Sequence, residues 1–394
     1  MTRTDPLPDA GTPEHRAGDG PLVWVMSQRA DVPRSVAELA RRLVAEWPEL
    51  SVLVSCAGGG VAPGARLPPA ALRCHAPGDS ARDVERALER WRPSAIILTE
   101  ALLPAALIRM AGARGIPLFM VDGRGGPDFA RGWPWWPGFT ARLLRRFDRI
   151  LVADPEAKRA FRRAGAEENR VEPVGLMAET PEIRAHAESE RDALASRFNA
   201  RPVWLAAAVP PAEEEMVLEA HRAAHRKAHR LMLVIVPRDL ERGPGLARRV
   251  AAQMRVALRS DDEEPREDDQ VYVADTEGEM GLWYRLAAVT YLGGSIVGAG
   301  SPLDPLEPAA LGSVVIHGPR CGRWAAAVAR LQQADALLDA RDAASLSRGV
   351  GVLLTPERAA QMAHNAWEML TEGSEATERI VALVLEVLNQ REAS

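Results

Sequence analysis

Residues 293 to 312, GGSIVGAGSPLDPLEPAALG, concentrate groups that could hold a phosphorylated ligand. The apolar run LAAVTYL precedes them and reads as a buried strand. Gly293, Gly294 and Ser295 then make a tight turn, where larger side chains would obstruct a close approach. Backbone N–H groups of such a turn, aided by a helix N-terminus beyond it, can hold a phosphate. Pro305-Leu306-Glu307-Pro308 opens a short alanine-rich helix. Glu307 lies in its first turn, where a carboxylate can accept hydrogen bonds from a ribose. Strand, glycine turn and acidic helix start together suit a nucleotide-sugar donor.

Other chemistry-bearing residues stand at the ends of apolar runs. Arg238 follows LMLVIVP directly, where a guanidinium can pair with a donor phosphate or with a surface carboxylate. Glu279, in DTEGEM, either touches the nucleotide or caps the helix that follows. Glu100 ends SAIILT, and Arg124 comes just after IPLFMVD. The segment GWPWWPGFTARLLRRF sets Trp133, Trp135 and Trp136 beside Arg142, Arg145 and Arg146. Aromatic rings with adjacent cations suit a membrane interface or a phosphorylated lipid, or else a packed loop before an amphipathic helix. His221, His225 and His229 repeat every four residues without an evident third ligand, and read as an exposed helix face. No metal is expected.

Behind these residues, short apolar runs alternate with longer helical patterns, which predicts parallel α/β units. The runs at 22–26, 51–56, 94–99, 116–122 and 149–153 belong to a first half, and those at 201–209, 229–237, 269–275, 288–294 and 313–318 to a second. The expected organisation is a disordered tail (1–20), an N-terminal acceptor-side domain (21–175), a connector (176–200), a C-terminal nucleotide-donor domain (201–375) and a C-terminal helix (376–394). Two Rossmann-like domains facing a central cleft, the GT-B architecture, would put ligands outside the carboxyl ends of the strands. The chain has 394 residues, 47% of them hydrophobic and 26% charged, with a net charge of −5. That balance gives no general reason to expect nucleic acid. Three cysteines without metal spacing fit a reducing compartment. The first 21 residues lack an apolar core, so any membrane contact is expected to be peripheral.

The order of motifs resembles that of the 3-deoxy-D-manno-octulosonic acid (Kdo) transferases. Gly293-Gly294-Ser295 and Pro305-Leu306-Glu307-Pro308 match that family's GGS and PLEP, with Leu303-Asp304 in place of its His-Asn. DTEGEM resembles its D-x-x-GE-[LM], and VPRDLER its PRHPER. LTEALLPAALIRMAGARGIPLFMVDGR resembles its TE-LWPNL, RGIP and NAR segments. The match spans roughly residues 22 to 390. The family's opening motif ends in the glutamate held to be its catalytic base. Here the segment is WVMSQRADV, and Asp31 takes that place only with a one-residue gap. The family's Lys in GNLKFD becomes Met177, and of its STHEGEE only Glu213 to Glu215 remain.

The resemblance implies an inverting glycosyltransferase that needs no metal or cofactor and uses a CMP-activated sugar as co-substrate. Arg238, Glu279, Gly293, Gly294, Ser295 and Glu307 would hold the donor, Asp31 would be the base, and Glu100 and Arg124 would shape the acceptor site. The acceptor would be of lipid A type, in lipopolysaccharide biosynthesis at the cytoplasmic face of the inner membrane. Two alternatives stay open: a changed donor or acceptor, or a catalytically silent nucleotide-binding paralogue.

Overall fold

The computed structural model describes residues 20–62, 64–124 and 138–392. The chain divides into two compact units, Met1–Thr180 with Thr371–Ser394, and Pro181–Leu370. Each is a seven-stranded sheet in which every pairing is parallel.

The first unit carries β1 (Leu22–Met26), β2 (Asp31–Val32), β3 (Ser51–Cys56), β4 (Gly60–Val61), β5 (Leu72–His75), β6 (Ala95–Thr99), β7 (Leu118–Gly123), β8 (Arg149–Val152) and β9 (Val171–Pro173). The main sheet runs β5-β3-β1-β6-β7-β8-β9, and β2 pairs separately with β4. Crossover helices are α1 (Arg34–Glu46), α2 (Ala81–Trp91), α3 (Ala105–Ala113), α4 (Phe139–Leu144) and α5 (Pro155–Arg163). Strands covered on both faces need apolar side chains on both, and β1, β6 and β7 are buried throughout. One face packs on α2, α3, α4 and α5 through Leu88, Ile108, Leu144 and Phe161. The other packs on α1, and on Ile380, Val384 and Leu388 near the chain's end.

The second unit begins with α6 (Glu188–Phe198), β10 (Val203–Val209), α7 (Pro211–His225), β11 (Met232–Pro237), α8 (Gly243–Ala251), β12 (Val256–Leu258) and β13 (Val271–Val273). It continues with α9 (Met280–Leu286), β14 (Val289–Leu292), α10 (Leu306–Ala310), β15 (Val314–His317), α11 (Ala325–Gln333), β16 (Leu337–Asp339) and α12 (Ala343–Leu353). Its strand order is β12-β13-β11-β10-β14-β15-β16. The direction of winding reverses between β10 and β14 here, and between β1 and β6 in the first unit. Those are the points where loops part and leave a crevice at the strand ends.

The two α/β halves agree with the sequence reading. The structure adds short strands that no apolar run announced, β5, β9, β12 and β16, each at or next to a sheet edge. LRCH of β5 is partly exposed along its whole length, so burial left no continuous pattern to read. The last helix, α13, is also longer than expected, Pro356–Glu392, because its first turns are polar.

Candidate functional site

At the winding reversal of the second unit, β14 delivers the glycine turn beside the end of β10. A Cβ on Gly293 would lie 2.6 Å from the carbonyl oxygen of Ala208, so only glycine lets the strands part this closely. Gly294 has φ +82°, and a Cβ there would lie 2.0 Å from Nη2 of Arg238. The guanidinium therefore rests on the turn, donating to the carbonyls of Gly293 (3.1 Å) and Gly300 (3.4 Å). Arg238 is exposed. Ser295 is fully buried; its hydroxyl donates to Leu292 O (2.6 Å) and accepts from Gly318 N (2.9 Å). It clips the end of β14 to the end of β15. Arg238, Gly293, Gly294 and Ser295 thus come together as one construction.

The amides of that turn have a different occupant from the one its sequence suggests. Glu213, fully buried in the first turn of α7, accepts from Gly294 N (2.6 Å) and Tyr291 Oη (2.8 Å) with one oxygen. Its other oxygen accepts from Ile296 N (3.1 Å) and Val297 N (2.6 Å). Burial, with the Glu213 carboxylate beside it, raises the Tyr291 phenol far above its ordinary value, so Tyr291 stays a donor. The expectation that these N–H groups hold a phosphate is corrected here: a protein carboxylate holds three of them. Glu213 was legible only as the surviving acidic end of a motif. Its signal is the acidic run after Pro210-Pro211, where the first turn of a helix favours negative charge. The next residue, Glu214, is buried as well and is held by Arg242 (3.2 Å) and Arg249.

Glu307 and Glu279 lie apart from the turn and are also engaged. Glu307 is 1% exposed. It accepts from Arg184 N (2.9 Å) with one oxygen and from the Arg184 guanidinium with the other. Burial raises its pKa, against the pull of Arg184. Glu279 occupies the N-cap position of α9 but makes no side-chain cap. It binds Arg259 (2.7 Å) and the Thr276 hydroxyl instead.

In the first unit, Glu100 and Asp122 end neighbouring strands with left-handed backbones, φ 58° and 52°. Non-glycine residues rarely hold that conformation unless their surroundings enforce it. Glu100 pairs with Arg29 at 2.5 Å, across the winding reversal between β1 and β6. Asp122 is 6% exposed and accepts from Met177 N at 2.7 Å. Burial pushes its carboxyl up to about 6, and Glu100 adds to the rise while Arg124 opposes it. Arg124 is exposed just beyond. Asp31 lies in β2, exposed, with its register partner Gly60 in β4. Arg29 and Asp122 were not singled out from sequence; Arg29, in the bend between β1 and β2, and Asp122, near the end of β7, are each known by their partners.

Trp133, Trp135 and Trp136 lie outside the described residues. Arg142, Arg145 and Arg146 are exposed on and just after α4. His221 corrects the reading of an exposed helix face: it is fully buried and accepts from the Trp204 indole at 3.1 Å. The face of α7 that carries it, with Ala220 and Ala224, packs onto β10. Among the described residues no cluster of His, Cys, Asp or Glu could hold a metal ion, and no helix is long and apolar enough to cross a membrane.

Two doubly wound parallel units, with their candidate groups at the carboxyl ends of the strands, are the components of the GT-B architecture. The family described as 3-deoxy-D-manno-octulosonic-acid transferase (kdotransferase) matches residues 8–177. The 3-deoxy-D-manno-octulosonic acid transferase of Haemophilus influenzae is 25% identical over 352 residues, covering 88% of this chain and 82% of that protein. That of Bordetella pertussis is 28% identical over 372 residues, covering 89% and 84%. A solved C-terminal CMP-Kdo binding domain of WaaA from Acinetobacter baumannii is 28% identical and covers 46% of this chain and 96% of its own, with a TM-score of 0.44. The chain is thus similar to Kdo transferases over most of its length.

Proposed function

We propose that the protein is an inverting glycosyltransferase that moves an acidic, Kdo-like sugar from CMP to a lipid A-type acceptor, without a metal. The observation that carries this reading is the Arg238 guanidinium seated on the Gly293-Gly294 turn at the winding reversal of the second unit. Its remaining N–H groups are the donors for the single phosphate of a CMP-sugar. Gly293 and Gly294 let the donor approach the backbone, and Ser295 fixes the turn from beneath. Glu307 accepts from the ribose hydroxyls once Arg184 has moved, and Glu279 sets the position of Arg259 at the nucleotide.

On the acceptor side, Asp31 takes the proton of the attacking hydroxyl as its oxygen bonds to the anomeric carbon. The bond from that carbon to the phosphate breaks, and CMP leaves with the electron pair. Glu100, held by Arg29, and Arg124 orient the acceptor. Arg142, Arg145 and Arg146, with Trp133, Trp135 and Trp136, hold the protein peripherally at the cytoplasmic face of the inner membrane.

A second reading is a changed donor or a silent nucleotide-binding paralogue. The grip of Arg184 on both oxygens of Glu307 favours it. Calorimetric titration with CMP, UDP and GDP, then turnover with CMP-Kdo and a lipid A precursor, separates the two. CMP binding that weakens at least tenfold in Arg238→Ala, with turnover, supports the first reading. CMP binding without turnover supports the second, and no CMP binding refutes the donor assignment.

A further inference from the structure

Helix α5 ends in an arginine-lined pocket that the transfer reaction does not use. The pocket is an open depression of about 500 Å³, lined by Arg159, Arg162, Arg163, Ala166 and Glu168. Asp154 caps α5 by accepting from Ala157 N, which fixes the helix so that residues 159, 162 and 163 share one side of its last turns. Glu168 neutralises Arg162 at 2.9 Å. Arg159 and Arg163 meet no carboxylate among the described residues. Three arginines against one carboxylate leave the pocket cationic.

The chain brings the end of α4 alongside. Gly165 packs so tightly on α4 that a Cβ there would lie 2.3 Å from the Cβ of Ala141. Arg170 donates to the carbonyls of Arg145 (3.2 Å) and Phe147 (2.8 Å). The backbone of the α4 region therefore lies beside the end of α5, although the two segments are distant in sequence. Helix α5 runs back from the end of β8 to the start of β9 in a parallel sheet. Its last turn therefore lies at the end of the sheet where strands begin, opposite the strand ends that carry Glu100 and Asp122. A ligand in the pocket is thus not the acceptor that reacts.

We propose that this pocket seats the phosphomonoester headgroup of an anionic membrane lipid, a docking site distinct from the acceptor site. Arginine's forked donors match a terminal phosphate, which offers three oxygens and up to two charges. The proposal deepens the peripheral-membrane part of the proposed function and is independent of turnover.

The test is co-sedimentation of the full chain with phosphatidylcholine vesicles, alone or containing phosphatidic acid or phosphatidylglycerol, at low and high salt. The wild type is expected to prefer phosphatidic acid. Replacement of Arg159, Arg162 and Arg163 by Gln should lower that binding by about tenfold or more, with thermal unfolding checked. Arg163→Gln alone serves as a milder variant, and Arg226→Gln with Lys227→Gln, on the exposed end of α7, should bind as wild type. Unchanged binding in the triple variant overturns the proposal, as does equal binding to phosphatidylglycerol. Abolition of phosphatidic acid binding by millimolar inorganic phosphate, with no vesicle preference left, assigns the pocket to free phosphate and also overturns it. If Arg142→Gln with Arg145→Gln removes binding while the triple variant keeps it, the pocket is refuted and membrane contact through α4 stands. A wild type that binds no anionic vesicle refutes both.

Discussion

Asp122 offers a test of the strand-end architecture of the first unit that does not depend on activity. Its carboxyl is 6% exposed and has one hydrogen-bond donor, the N–H of Met177. Burial lifts its pKa from 3.8 to about 6. A raised folded-state pKa means that the contribution to stability is fully present below pH 3.8 and is lost as pH rises through 6. Two pKa units at 1.36 kcal/mol each give about 3 kcal/mol of destabilisation at pH 8 relative to the protonated state. About half of that has already accrued at pH 5. Asp122→Asn keeps the oxygen that accepts from Met177 and removes the titration. The variant should therefore be more stable than wild type at pH 8 by about 1–3 kcal/mol, with a smaller gain at pH 5. Urea unfolding of both proteins between pH 5 and 8 measures the difference. A difference that is flat across this range, or of opposite sign, would show that Arg124 or another cation stabilises the ionised form, and the assignment of Asp122 as a desolvated carboxyl would fail.

Glu213→Gln leaves one acceptor oxygen for four donors, and should lower stability by about 2–4 kcal/mol in urea unfolding; a smaller loss would mean that the turn holds itself. Burial depresses the His221 pKa from 6.5 to about 3, so stability is intact above 6.5 and falls with acidification, by about 2 kcal/mol at pH 5. His221→Gln should flatten that slope, read from unfolding midpoints between pH 5 and 7. Arg184→Ala should tighten CMP by about tenfold in calorimetry, because the ribose then competes with water and not with a guanidinium; unchanged affinity would separate Glu307 from the donor. Asp31→Asn should abolish turnover and spare CMP binding. A Cβ on residue 60 would lie 2.0 Å from Oδ1 of Asp31, so Gly60→Ala should displace the carboxylate and lower turnover too; full activity in both would remove Asp31 as base.

The sequence made the principal strands legible because parallel strands are apolar on both faces, as LVWVM and VWLAAAV are here. Edge strands such as LRCH escaped because one side of them meets water. The glycine turn was legible for a related reason: Gly293 and Gly294 are needed where a strand end and Arg238 leave no room for a Cβ. Partners were not legible. Nothing local in PPAEEE says that Glu213 reaches the amides of residues 294, 296 and 297, more than 80 positions away. Nor does PEIRAH say that Arg184 closes on Glu307. Hydrogen bonds between distant loops depend on where two strands end, and that is set by the register of the whole sheet.

Glu213 and Glu307 differ in how readily their present partners could be replaced. Both are glutamates in the first turn of a helix, and both are buried to within 1%. Glu213 is held by four donors, three of them backbone amides of the turn it organises. Removing it would leave buried N–H groups without an acceptor, at about 1–3 kcal/mol each. No ligand gains enough from the turn to offset that. Glu307 is held by one residue, through one backbone N–H and one guanidinium. The Arg184 side chain is already 41% exposed, so its cation can return to water at little cost. A ribose hydroxyl could take the place of the guanidinium while the Arg184 N–H keeps its bond to Glu307. Such an exchange would leave both oxygens of Glu307 with a donor. By this reasoning the glycine turn is a fixed scaffold, and Arg184 and Glu307 are the exchangeable pair of the second unit.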